Sequence, residues 1–368
     1  MSDQRAINSK KYVGSPYRKT SYFEDMAIKA FETPFRKKCL VAGVIFGIGF
    51  PFFSPPFILH VINLIAIASI GALALNLLIG NAGLLSLGHA GFMAAGAFTT
   101  AIMTVNFGMP IWIVLPTAIL IGGVFGFVAG LPSYKLRGIY LGLSTLAVDH
   151  IIHYGCSEYQ YYGGFGYGIV IKTPSIGHLV LANKVEWYFF LWIIAALVAL
   201  FITNLLRSKP GRAWVAIRDR DIAAEVIGIN IGDYKIMAFI LSSGLTSLAG
   251  SLYAYYTAVA SADQYSFSLT ISYFAMVIVG GVGSVLGSLL GAFLITVLPY
   301  VLMYLTGLFE VSFNIKEYFS IIESAIFGIV IVLFLLAEPM GLAEIWKRTR
   351  IYCELWPFRY KPLTITKR

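Results

Sequence analysis

Asp149, His150 and His153 stand at i, i+1 and i+4 and form the tightest cluster of titratable side chains inside the apolar part of the chain. On one helical turn this spacing brings a carboxylate and an imidazole together, as in a proton relay or half of a metal site. Zinc sites take three or four ligands, and Glu158 is the only nearby addition. The sequence therefore reads the cluster as a polar turn at the outer end of a membrane span. Asn76, Asn81, Ser86 and His89 lie inside long apolar runs. There a polar group faces a pore or bonds across helices, because an unpaired one is costly in lipid. Both readings stand for these four. His89 sits between Gly88 and Gly91, where a broken helix would expose backbone groups to a passing polar solute. The cluster Ser242, Ser243, Thr246 and Ser247 reads as helix packing. No phosphate-binding G-x4-G-K-[ST], no H-E-x-x-H and no nucleophile elbow occurs. The expected catalytic, metal and cofactor residues are none.

The elements that must hold these residues follow from composition. The chain is 58% apolar and 12% charged, with a mean hydropathy of +0.79. Soluble domains carry about 25% charged residues, so lipid is the main solvent here. Of 27 Lys and Arg residues, all but Lys172, Lys184 and Lys316 fall in four places: the first 38 residues, Lys135 and Arg137, residues 207–235, and the stretch after Gly341. Basic loops stay on the cytoplasmic side. The net charge of +9 is thereby assigned to orientation and to anionic headgroups, and nucleic acid is not an expected partner. Cys39, Cys156 and Cys353 are too widely spaced for a disulfide framework.

The apolar runs predict an all-α, polytopic integral membrane protein with about ten transmembrane or re-entrant helices: 39–53, 57–79, 82–105, 109–130, 138–155, 186–206, 235–258, 268–282, 285–306 and 318–336. Ten spans place both termini and every basic cluster inside. Glycine ladders at Gly122, Gly126, Gly130 and at Gly283, Gly287, Gly291 predict close helix contacts. The outer loop 157–185 carries Tyr161, Tyr162 and Phe165, which read either as an interfacial aromatic belt or as contacts for a soluble binding protein.

The basic loop 207–234 holds the most specific signal. Lys209-Pro210-Gly211 breaks the preceding helix, residues 213–227 then read as one short amphipathic helix, and Gly228 stops it with a left-handed backbone. Such a helix docks into a groove of a soluble partner or lies on the lipid surface.

Residues 211–230, G-R-A-W-V-A-I-R-D-R-D-I-A-A-E-V-I-G-I-N, resemble the coupling loop of ATP-binding-cassette importer permeases. Their A-A-x3-G core is matched by Ala223, Ala224 and Gly228, with the acidic residue three positions early at Asp221. Residues 75–98, L-N-L-L-I-G-N-A-G-L-L-S-L-G-H-A-G-F-M-A-A-G-A-F, look like the hallmark of the branched-chain amino-acid importer permeases. R-G-I-Y at 137–140, G-G-V-G-S-V-L-G-S-L-L-G-A at 280–292 and P-M-G-L-A at 339–343 follow in the family's order.

The resemblance implies a non-catalytic permease domain over 39–343 with basic cytoplasmic tails at 1–38 and 344–368. It implies a coupling site of Arg218, Asp221, Ala223, Ala224, Glu225 and Gly228, and a bacterial inner-membrane location. The implied partners are a second homologous permease, two ATPase subunits that bind the ATP, and a periplasmic or surface binding protein. The implied cargo is leucine, isoleucine or valine, with urea, short amides or nucleosides as alternatives. A stand-alone ion-coupled carrier or channel is the reading from a different class.

Overall fold

The computed structural model describes residues 47, 49–176, 179–180, 183–308, 325, 328–329, 332 and 341–355. The chain divides into two units, Met1–Ser54 and Pro55–Arg368. In the first, residues 47 and 49–53 are helical, and the rest of the expected 39–53 span lies outside the described residues, as does most of 318–336. Among its described residues the second unit is all-α, with two small strand ribbons.

Its helices are α1 (Pro56–Asn76), α2 (His89–Val105), α3 (Ile111–Gly130), α4 (Ile139–Tyr162), α5 (Lys184–Arg207), α6 (Lys209–Asp219), α7 (Asp221–Val226), α8 (Ile231–Thr257), α9 (Phe267–Gly280), α10 (Val285–Leu308) and α11 (Leu342–Leu355). Strand β1 (Ile169–Val170) pairs antiparallel with β4 (Val259–Ala260), and β2 (Ser175–Ile176) with β3 (Leu179–Val180). Among the described residues, five helical stretches are long and apolar enough to cross a membrane, and α2 and α9 are shorter apolar helices. The protein is an integral, multi-pass membrane protein.

Helices α1 and α8 form the interior. Over their most apolar stretches both are 78% buried, against 22% for α5 at the rim. Without a hydrophobic force between helices in lipid, close approach depends on small residues. A Cβ on Gly96 of α2 would strike the Ser247 carbonyl, and one on Gly250 the Met93 carbonyl, so α2 and α8 cross backbone to backbone. On α3, Gly122 and Gly126 face the Ser247 and Ser243 side chains, and Gly130 faces Phe239. The first ladder is thus the α3–α8 contact. Serines of α8 also tie it to other helices: Ser242 Oγ donates to the Ala74 carbonyl of α1 and Ser247 Oγ to the Phe92 carbonyl of α2, both at 2.6 Å. The second ladder is not one helical face. Gly283 lies in the turn before α10 at φ +81°, whereas Gly287 and Gly291 close the α9–α10 hairpin against Gly280 and Met276.

One expected span is interrupted, and one connection between spans is irregular. Residues 82–88 are not helical, so the run 82–105 becomes a loop and then α2. Likewise the chain reaches α9 through β4 and a 3-10 turn, Ala262–Tyr265, whose Tyr265 is fully buried. Irregular backbone at membrane depth requires protein partners. The Leu87 N–H donates to Thr145 Oγ1, the Ala90 N–H to Thr270 Oγ1 and the Ala262 N–H to Gln160 Oε1, each at 2.9 Å.

The Asp149 cluster is where the sequence reading needs correction. Helix α4 continues to Tyr162 instead of ending near Gly155, which moves Asp149 from a span end to the middle of the helix, about 15 Å from Ile139 at 1.5 Å per residue. Its carboxylate is buried and accepts the Gly91 N–H, so it caps the first turn of α2. His150 Nδ1 lies 3.6 Å from the other carboxylate oxygen, and His153 Nε2 lies 3.2 Å from the Ala262 carbonyl oxygen. The cluster therefore holds the broken α2 and the 3-10 turn in place. Asp149→Asn, which keeps an acceptor oxygen, is expected to fold with a near-normal melting temperature. Asp149→Leu orphans a buried N–H, at a cost of about 1–3 kcal/mol, and is expected to melt several degrees lower by detergent thermal-shift assay.

Candidate functional site

The loop 207–234 folds as two short helices, not one. Extended backbone at Arg220 (φ −157°, ψ 102°) separates α6 from α7. The break re-aims the apolar residues. Trp214, Ile217 and Ala224 are buried, and Trp214 Nε1 donates to the Tyr234 carbonyl at 2.7 Å, tying α6 to the start of α8. Ile222, Val226 and Ile227 are turned outward at 70%, 83% and 73% exposure. Ala223 and Glu225 are exposed beside them. Asp221 stands at the first position of α7, where a carboxylate complements the helix dipole. At the other end the Gly228 N–H donates to the Glu225 carbonyl at 2.9 Å and the Ile229 N–H to the Ala224 carbonyl at 3.1 Å. With Gly228 at φ +87°, these are the paired bonds of a left-handed helix cap.

Two further bonds attach this segment to the membrane helices. Arg218 Nη1 donates to the Gly80 carbonyl at 2.7 Å, and Arg137 Nη1 meets Asp221 Oδ2 at 2.8 Å. Gly80 belongs to a π-helical turn, Leu77–Asn81, that ends α1. Such turns leave the regular hydrogen-bond ladder and recur at functional sites. Arg137 opens the R-G-I-Y motif, and Gly138 behind it takes φ +58° to start α4.

Asn76 stands at the centre of the same end. Its Oδ1 accepts the Gly283 N–H at 2.8 Å, and its Nδ2 donates to the Ser284 carbonyl at 3.0 Å and to Ser288 Oγ at 2.7 Å. Asn81 Nδ2 donates to the Asn76 carbonyl at 3.2 Å. Gly341, at φ +74°, packs on the other side of the same turn, its position for a Cβ 2.7 Å from Gly281 Cα. Segments far apart in sequence thus meet in one knot: the end of α1, the α9–α10 turn, the start of α11 and the segment α6–α7. Sequence reasoning picked out each motif but had no signal that they touch.

Ser86 and His89 are buried as well. The His89 ring lies 4.5 Å from the Tyr273 ring, and its Nδ1 is 3.4 Å from Thr246 Oγ1. Among the described residues its Nε2 has no hydrogen-bond partner. Tyr273 also lines a cavity of about 530 Å³ between α1, α8, α9 and α10, together with Ile67, Met276 and Ile295 and the hydroxyl-bearing Tyr253 and Thr296. At the far end of the protein, Tyr161 and Tyr162 are 79% and 83% exposed, while Phe165 folds back to stack on Tyr159 with ring centroids 6.4 Å apart.

Comparison with known proteins gives this arrangement a family. The chain is 29% identical to the high-affinity branched-chain amino acid transport system permease protein LivM of Escherichia coli K12, over 83% of this chain and 75% of that protein. It is 32% identical to a probable LivM of Methanocaldococcus jannaschii over 62% of this chain and 68% of that protein. It is 25% identical to the ribose import permease protein RbsC of Haemophilus influenzae, over 77% and 85% respectively. No solved structure matches significantly. Residues 57–335 match the description "Branched-chain amino acid transport system / permease component", and the chain belongs to that family of permeases.

Proposed function

We propose that this chain is one permease of a two-permease pore in the bacterial inner membrane, driven by two cytoplasmic ATPase subunits and fed by a periplasmic or surface binding protein, with leucine, isoleucine or valine as cargo. One observation carries the reading: the segment α6–α7 offers an outward apolar face while two polar bonds fasten it to the ends of α1 and α4. A groove on an ATPase would receive Ile222, Val226 and Ile227, with Glu225 and the Gly228 cap at its rim. Movement of the ATPases would then reach α1 through Arg218 and α4 through Asp221. Nucleotide shifts the pore only to the extent that this docking differs between states.

The cavity beside Tyr273 suits an apolar amino acid, with hydrocarbon walls for the side chain and hydroxyls for the polar end, and His89 borders the path on its other side. Asn76 and Asn81 are assigned to the motif knot instead of the path. Tyr161 and Tyr162 are the outward anchors for the binding protein. The two tails, 1–38 and 344–368, lie in the cytoplasm, the second beginning within α11, where Glu344 pairs with Lys347 and Arg348 at 3.7 Å.

Co-expression with ATPase subunits from the same organism tests the whole reading. The chain is expected to co-purify with ATPase and to take up radiolabelled leucine in liposomes only when ATP and loaded binding protein are supplied. Uptake by the chain alone would replace this reading with a carrier or channel. Orientation has its own test, because Cys156 is buried and unsuitable as a native reporter. A cysteine replacing the fully exposed Tyr167 should react with an impermeant maleimide from outside, and one replacing Ile227 only after permeabilisation.

A further inference from the structure

A cleft of about 260 Å³ opens at the basic end, bounded by the α1–α2 connection at Gly83, the start of α4 at Arg137 and Gly138, the α6–α7 break at Arg218–Asp221, and Lys235 in the first turn of α8. Its charges do not cancel. Asp221 is committed to Arg137 at 2.8 Å and Asp219 to Arg218 at 3.1 Å, and Arg218 also holds the Gly80 carbonyl. Asp233, on the same turn as Lys235, is taken by Tyr134 at 2.7 Å and Asn230 at 2.6 Å. Two cations are left over. Arg220 is exposed at the rim, and Lys235 is only 6% exposed; among the described residues neither side chain has an ion-pair or hydrogen-bond partner. Burial of the Lys235 side chain and the nearby Arg137 both disfavour its charge, and the one carboxylate that opposes them, Asp221, is already bonded to Arg137; Lys235 lines a polar cavity of ample size for a tetrahedral oxyanion.

We propose that this cleft is a binding site for a phosphate-type oxyanion, with Lys235 as its buried cation and Arg220 as its closing one. Two sources share that chemistry, the headgroup of an anionic phospholipid at the cytoplasmic surface and a free phosphate-bearing solute. Bound there, the anion joins four chain segments: the α1–α2 connection, the start of α4, the α6–α7 break and α8. It stabilises the arrangement in which α6–α7 is fastened to the membrane helices. The site rests on this geometry and is independent of which cargo the permease carries.

The test uses the full chain with whatever subunits co-purify, in nanodiscs, read by unfolding midpoint and native mass spectrometry. The samples are phosphatidylcholine alone, phosphatidylcholine doped with phosphatidylglycerol, phosphatidylcholine with inorganic phosphate, and a sodium chloride control at matched ionic strength. An anion at about tenfold its Kd is expected to raise the midpoint by roughly 3 °C above the chloride control. A rise with phosphatidylglycerol alone assigns the lipid source, and a rise with inorganic phosphate assigns the solute. Lys235→Met keeps the stem and removes the charge. It is expected to be at least as stable as the parent without anion and to lose the anion-dependent rise and the retained anion. Arg220→Gln is expected to reduce the rise. Should Lys235→Met fail to fold, Arg220→Gln decides: a reduced rise supports the site and an undiminished one overturns it. The proposal also falls if chloride gives the same rise, if Lys235→Met keeps it, or if no anion acts while both variants lose the ATPase, which would make the cleft a receptor for a protein carboxylate.

Discussion

Gly228→Val is expected to reduce uptake at least tenfold and to release the ATPase from the complex, while the ligand affinity of the binding protein, which acts at the other end, stays unchanged. The argument is one of backbone conformation, because nothing lies within 4 Å of the position a Cβ would occupy. At φ +87° a β-branched residue is strained by about 1–3 kcal/mol, enough to unravel the last turn of a helix only six residues long. That turn carries Glu225, Val226 and Ile227. Asparagine tolerates left-handed backbone far better, so Gly228→Asn should restore most of the uptake. A Gly228→Val chain that transports normally with ATPase bound would make α7 a surface helix with no part in coupling. Glu225→Lys tests the same face by charge and not by shape, and is expected to weaken ATPase docking without altering α7 itself.

The second large effect is expected at Asn76. Asn76→Leu removes three hydrogen bonds at once and leaves the Gly283 N–H without its acceptor, while the Ser284 carbonyl keeps the Ser288 N–H at 3.0 Å. With about 1–3 kcal/mol for the orphaned N–H and all three bonds across the contact gone, the turn is expected to separate from the end of α1. Uptake then falls at least tenfold, while ATP hydrolysis stimulated by loaded binding protein persists, because the docking face on α7 is untouched. Arg218 holds the same π-helical turn through Gly80, so Arg218→Ala should act on the same linkage. The double variant is expected to be little worse than the more severe single one, a non-additivity that independent roles would not produce. Equal loss of hydrolysis and uptake in Asn76→Leu would instead mean general misassembly.

How much of this was legible in the sequence differs from residue to residue. Helices α3, α5 and α10 begin and end within about two residues of the apolar runs that predicted them, because a lipid-facing helix must be apolar along its whole length. The left-handed stop at Gly228 and the packing role of Gly122, Gly126 and Gly130 were equally local. The broken segment 82–88 was not, since an apolar run reads the same whether its backbone is helical or is satisfied by Thr145, Thr270 and Asp149 on distant helices.

By itself, then, the amino-acid sequence determined the solvent, the approximate number of spans and the motifs, because each depends on composition or on spacing within one turn. Tertiary structure alone decided that α6 and α7 are separate, that Asp149 lies in mid-helix as a cap, and that Asn76, Gly80, Arg218, Gly283 and Gly341 meet at one end. The physical reason is that backbone polar groups inside a membrane protein must be satisfied, and where the helix breaks, their partners come from segments as many as 208 residues away, as between Asn76 and Ser284.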